Sequence, residues 1–224
     1  MKTSVKAIIK SIAVLSVIAI VCVAILSLSN EFLKKDVVLD LVTTEKINEL
    51  CPSGVDAKTA YSENYFVMLT EDELNESANG FALKSYKNNA SNKVVAIYYA
   101  PKGENSGAYI IESIAKGYRD LSVLISFKVE NGDYFITGVM AKSTTEDDNF
   151  KQIFNDEYFS RFVEMVKGGK TLYTNEEIIA QTGATTKNSV RGLNTAVTLA
   201  VKAMDGLYQY DDQIKTVVAQ RGNE

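Results

Sequence analysis

The chain has 224 residues, 24 Lys and Arg against 28 Asp and Glu for a formal net charge of −4, and no histidine. That balance leaves no basic footprint for nucleic acid. The missing histidines remove Ser-His and Cys-His nucleophile pairs and the usual zinc sites, and two cysteines are too few for an iron–sulfur cluster held by this chain alone.

The first element predicted is a membrane anchor over residues 1–30. No charge interrupts Ser11–Asn30, and the apolar run Ile12–Leu26, at roughly 1.5 Å per helical residue, covers most of a hydrocarbon core of about 30 Å. Lys2, Lys6 and Lys10 precede the run, while Glu31, Lys34, Lys35 and Asp36 offset one another after it. This asymmetry places the N-terminus in the cytoplasm and everything after Asn30 outside it, in a single-pass protein of the plasma or inner membrane. A cleaved secretion signal is the competing reading, because Ser27 and Ser29 are small residues placed like a cleavage site. A lipoprotein signal does not fit, since Val21 precedes Cys22 and the apolar run continues beyond it. Cys51 is the lone cysteine of the outward part, so no disulfide can form there, and it reads as a buried side chain.

Residues 31–60 read as a helical stalk or linker, with Leu33, Val37, Val38 and Leu41 at helical spacing and Thr43 or Thr44 capping a further short helix. Residues 61–224 read as one extracytoplasmic α+β domain with a mainly antiparallel sheet and packed helices. Within it Phe81–Tyr86 and Lys93–Ala100 are strand-like, the second closed by turn residues at Pro101–Gly103. Leu121–Val129 and Asp133–Val139 flank Glu130-Asn131-Gly132 and predict a hairpin, since Asn and Gly both tolerate positive φ. From Asn149, apolar residues at Phe150, Ile153, Phe154, Tyr158, Phe162 and Val166 predict a helix that Gly168-Gly169 ends, its aromatic stripe serving as core. The last helix starts near Lys187 and puts Val190, Leu193, Val197, Ala200, Val201, Met204 and Leu207 on one face.

The segment before that helix, Thr182-Gly183-Ala184-Thr185-Thr186, concentrates hydroxyls around two small residues. Thr185, Thr186, Asn188 or Ser189 could serve simply as the helix N-cap. A hydroxyl left accessible beside unpaired amides and the positive end of a helix dipole also suits a phosphate.

Thr182-Gly183-Ala184-Thr185 resembles the [Ser/Thr]-Gly-Ala-Thr flavinylation motif of FMN-binding domains. These occur in the G subunit of Rnf-type ferredoxin:NAD oxidoreductases and the C subunit of sodium-translocating NADH:quinone reductases. The likeness extends to the N-terminal span and stalk, Ala115-Lys-Gly-Tyr118, the Asn-Gly hairpin with Gly138-Val139, and the aromatic helix. Ile179 stands where the family has aspartate and Lys187 where it has Thr or Ser, and Lys142–Asn149 replaces a Glu-Thr-Pro-Gly-Leu-Gly loop that lies beside the flavin.

The resemblance implies covalent FMN, joined through its phosphate to Thr185 by a flavin transferase that uses FAD. Thr182, Gly183, Ala184 and Thr186 would surround the attachment, and Ser143, Thr144 and Thr145 would lie near the flavin. It further implies an electron-relay subunit of an ion-translocating complex, partnered by integral membrane and redox subunits, with no catalytic or metal-binding residues of its own. A stand-alone extracellular electron-transfer flavoprotein and a non-redox membrane-anchored binding domain are the alternatives.

Overall fold

The hairpin predicted at Asn131-Gly132 is the spine of the fold. In the computed structural model, which describes residues 15, 16, 20, 39–144, 156–166, 174–182 and 187–221, strands β5 (Asp120–Glu130) and β6 (Asp133–Thr144) pair from Glu130↔Asp133 to Leu121↔Thr144. Asn131 and Gly132 have φ of +54° and +76°, the two positive values that a tight two-residue turn between right-twisted strands demands.

The earlier strands are β1 (Val67–Met68), β2 (Lys87–Asn89), β3 (Asn92–Tyr99) and β4 (Tyr109–Lys116). They complete a sheet of order β1-β3-β4-β5-β6, with β2 also on β3 and every pairing antiparallel. Together with the helices this is the expected α+β class.

The chain divides into two units, Met1–Val38 and Leu39–Glu224. Of the first, Leu15, Ser16 and Ile20 are helical, with Leu15 and Ile20 exposed. The rest of the apolar run predicted as an anchor lies outside the described residues, among which no helix is long and apolar enough to cross a membrane.

Both faces of the sheet are covered. On one face, helix α1 (Leu41–Leu50) and helix α2 (Ala57–Ser62) bury Ile47, Cys51 and Ala60 against Ala96, Tyr98, Ile110 and Leu124. Residues 39–60, read from sequence as part of a linker, therefore contribute to the packed unit. Burial pushes the Cys51 thiol up to about 11, so it stays protonated and unreactive at neutral pH. Asp40, rather than Thr43 or Thr44, caps α1: its carboxylate accepts from the Thr43 amide at 2.8 Å, while both threonines are buried inside the helix.

The other face carries α6 (Lys187–Leu207), whose predicted apolar stripe from Val190 to Leu207 is buried throughout. Each Val, Leu and Met of the stripe contributes about 1.5–3 kcal/mol on leaving water, which makes this packing the main attachment of the helix. Helix α4 (Asp156–Val166) buries Tyr158 of the predicted stripe together with Phe159, which the stripe did not include, while Phe150, Ile153 and Phe154 lie outside the described residues.

Phe81–Tyr86 is not the expected strand: Leu83–Ser85 forms a 3₁₀ turn. The turn lets Phe81 and Tyr86 stack at 4.7 Å against Gly206 of α6, where a Cβ would collide with the Tyr86 hydroxyl and crowd the Phe81 ring. Strand β4 was not anticipated, because a strand buried on both faces loses the alternation that marks a half-exposed one.

Helix α3 (Glu71–Ser77) begins with a capping box, in which Glu73 accepts from the Thr70 amide at 2.8 Å and the Thr70 hydroxyl accepts from the Glu73 amide. Arg221, the last residue of α7 (Asp211–Arg221), pairs with the Glu73 carboxylate and donates to the Met68 carbonyl at 3.0 Å. Burial alone would raise the Glu73 carboxyl, but the Arg221 and Thr70 bonds outweigh it and hold the group below its ordinary value. A depressed carboxyl stabilises the fold above its unfolded pKa and loses that contribution as pH falls through the folded one. Glu73→Gln is therefore expected to cost about 1 kcal/mol at pH 7. In urea denaturation the difference from wild type should disappear as pH falls well below the ordinary value of 4.5.

Candidate functional site

Helix α5 (Asn175–Thr182) ends at the first residue of the tetrad and α6 begins at Lys187, so residues 183–186 connect two helices. The two run antiparallel as a hairpin. Asn194 of α6 donates to Asn175, the first residue of α5, at 2.8 Å, which puts the end of α5 beside the start of α6. Thr174 and Glu177 fix the start of α5 with reciprocal bonds of a capping box. Gly183, Ala184, Thr185 and Thr186 lie outside the described residues, as does Thr145. Asn188 and Ser189, considered as caps from sequence, are the second and third residues of the helix instead.

The start of α6 is seated on the β4–β5 turn by two glycines. A Cβ on Gly192 would come 2.8 Å from the Cα and N of Gly117 and 2.9 Å from Leu121 Cδ2, distances that real Cβ contacts do not reach. Leu121 pairs with Thr144 and Ser122 with Ser143 across the β5–β6 ladder. Ser143 and Thr144 thus share one end of the sheet with the first turns of α6, although more than forty residues separate them in sequence.

Beside this contact lies a cleft of about 410 Å³, bounded by the β2–β3 turn at Asn89–Asn92, by Lys116 and Gly117, and by Asn188 and Arg191 of α6. Its turn is rigid: Asn89 accepts from the amides of Ser91 and Asn92 at 2.9 Å, and Asn92 accepts from the Lys116 amide at 2.8 Å. Lys116, Lys187 and Arg191 have no carboxylate at ion-pair distance among the described residues, and they gather where the dipole of a 21-residue helix is positive. The hydroxyl of Ser189, fully buried in the first turn and outside the cleft lining, has no hydrogen-bond partner among the described residues. The three cations at a helix N-terminus have the chemistry that suits an anion such as a phosphate.

The opposite face of the same end holds a second polar group that the sequence reading missed. Glu112, 8% exposed, accepts from Ser122 Oγ at 2.8 Å, Tyr98 Oη at 2.8 Å and Lys142 Nζ at 2.9 Å. Burial and the Glu112 charge push the Tyr98 phenol far above its usual range, so Tyr98 remains a donor. Lys142 precedes Ser143 directly, and its ammonium also lowers Asp40, whose carboxyl is depressed first by the Thr43 amide. The network therefore ties the final residues of β6 to the cap of α1. One charge in the otherwise uncharged run Tyr109–Ala115 is the sequence signal that could have found it.

No family model, curated protein or solved structure matches this chain.

Because Gly192 rests on backbone, Gly192→Ala cannot be absorbed by a side-chain rotation. It is expected to lower the unfolding free energy by about 1–3 kcal/mol in urea titrations. Ala at Gly107, where no atom lies within 4 Å, controls for the Cβ itself, with only the strain of its φ of +90° to bear.

Proposed function

We propose that this chain is a membrane-anchored electron-transfer flavoprotein, carrying FMN esterified to Thr185, within an ion-translocating ferredoxin:NAD oxidoreductase complex of the Rnf type. The observation that carries the reading is the cluster of Lys187, Arg191 and Lys116 at the start of α6, none in an ion pair among the described residues, directly after the [Ser/Thr]-Gly-Ala-Thr tetrad. The tetrad supplies the acceptor hydroxyl, and the helix supplies the electrostatic partner for a phosphate bonded to it.

The residues divide the work by chemistry. Thr185 Oγ attacks the FMN phosphorus of FAD on the transferase, forming a phosphoester; the pyrophosphate bond breaks, AMP leaves with the bridging oxygen, and the hydroxyl proton passes to a base. Gly183 and Ala184 keep bulk away from that hydroxyl, with Thr182 and Thr186 on either side. Lys116, Lys187 and Arg191 are the cations available to neutralise the remaining negative charge, and the exposed Ser143 of β6, followed by Thr144 and Thr145, borders the same end of the sheet. When bound, FMN supplies one- and two-electron transfer, and a tether keeps it from diffusing away while partners come and go. Integral membrane and redox subunits are the partners of this relay, and the flavin transferase is its maturation partner.

Co-expression with a flavin transferase, followed by intact mass and peptide mapping, tests the reading. Wild type should gain the mass of FMN less one water on the peptide containing Thr185, and Thr185→Ala should gain nothing. Unmodified wild-type protein from its native membrane would overturn the proposal.

A further inference from the structure

At the end of the sheet remote from the start of α6, the ends of β3 and β5, the Pro101–Gly107 loop and helix α7 enclose a cleft of about 470 Å³, within the range of small-molecule sites. Tyr99, Val129 and Val218 give it an apolar floor, with Tyr99 and Val218 only 4% and 6% exposed. Lys128 and Lys215 stand in its wall, and no carboxylate does.

Tyr99 is the unusual member. Its ring is held edge-on to Tyr109 at 5.1 Å, and the Tyr109 hydroxyl is satisfied by Asp211 at 2.9 Å. The side chain as a whole is buried and lines the cleft, but its hydroxyl oxygen reaches solvent and makes no hydrogen bond among the described residues. That hydroxyl is free to donate to whatever occupies the cleft, water included. Burial and the nearby Asp211 charge push the phenol up to about 12, so near neutral pH it offers a proton.

Each of the two ammonium groups already has one carboxylate partner. Lys128 meets Glu130 at 2.6 Å and Lys215 meets Asp211 at 2.6 Å. Each ammonium has three N–H donors, so one carboxylate partner leaves others to spare. The Ser106 hydroxyl is committed as a donor to the Pro101 carbonyl at 3.0 Å. Spare donors on an apolar floor, without an acidic group in the wall, complement an anion that carries an apolar body.

We infer that this cleft binds a small organic carboxylate, its oxygens taken by Lys128 and Lys215 with the Tyr99 hydroxyl donating to it, and its apolar body resting on Val129 and Val218. The site depends on neither the tetrad nor a flavin.

The test is a calorimetric titration of the detergent-solubilised full chain with benzoate, with benzamide and inorganic phosphate as comparison probes. Benzoate should bind saturably, and benzamide and phosphate should not. Lys128→Gln and Lys215→Gln should each weaken benzoate about tenfold or more, and Tyr99→Phe, which keeps the ring, several-fold. Thermal melts matching wild type establish that each variant is folded; Lys128→Gln, at an exposed strand end, carries the test should Lys215→Gln disturb α7. Absence of saturable benzoate binding, equal binding of benzamide or phosphate, or an unchanged affinity in folded lysine variants would overturn the assignment.

Discussion

The packing of the apolar stripe of α6 on β3, β4 and β5 is the constraint on which the other parts of this molecule depend. Twelve of its 21 residues are buried, and glycines allow the approach at both ends, Gly192 against Gly117 and Gly206 against the Phe81–Tyr86 stack. Further along, the Tyr134 hydroxyl donates to Asp205 at 2.7 Å and fixes the helix to β6. A helix fastened along its length cannot slide, so its first turn is held over Leu121 and the β4–β5 turn. The electropositive end is consequently a fixed feature of the fold and not the accident of a mobile loop.

That geometry separates the sheet into two ends with different chemistry. One gathers Lys116, Arg191, Ser143 and the junction between α5 and α6. The other gathers Tyr99, Lys128, Lys215 and the C-terminal helix. The buried Glu112 network braces the first end from behind by joining four strands, β3 to β6. Burying a carboxylate is costly unless it is paired and bonded, and Glu112 receives three hydrogen bonds, so its retention there is physically consistent.

The sequence discloses those parts of this arrangement that depend on local rules. Asn131-Gly132 announces its own turn because few other residue pairs take two positive φ values, and α6 announces itself because only one of its faces is apolar. Strand β4 is hidden for the opposite reason, being apolar toward both layers, and Phe81–Tyr86 misleads because its aromatic residues serve a stack and not a ladder. The cleft at the start of α6 draws on residues 89–92, 116–117 and 188–191, whose proximity arises from sheet register and helix docking. No window of sequence contains that information. The tetrad differs again: its residues were legible through resemblance, whereas the gathering of Lys116 and Arg191 beside the start of α6 became visible in the fold.

Attachment of FMN through a phosphodiester at Thr185 is the central claim, and phosphorus NMR of the protein purified from its native membrane tests it most directly. A phosphomonoester titrates with a second pKa of about 6, whereas a diester has no second proton to lose. One protein-bound phosphorus resonance that keeps its shift between pH 5 and pH 8, and that survives denaturation with the chain, is the expected result. A resonance that moves through that range, or flavin that separates from the denatured chain, would contradict the covalent tether and leave the hydroxyls before α6 as an ordinary helix start.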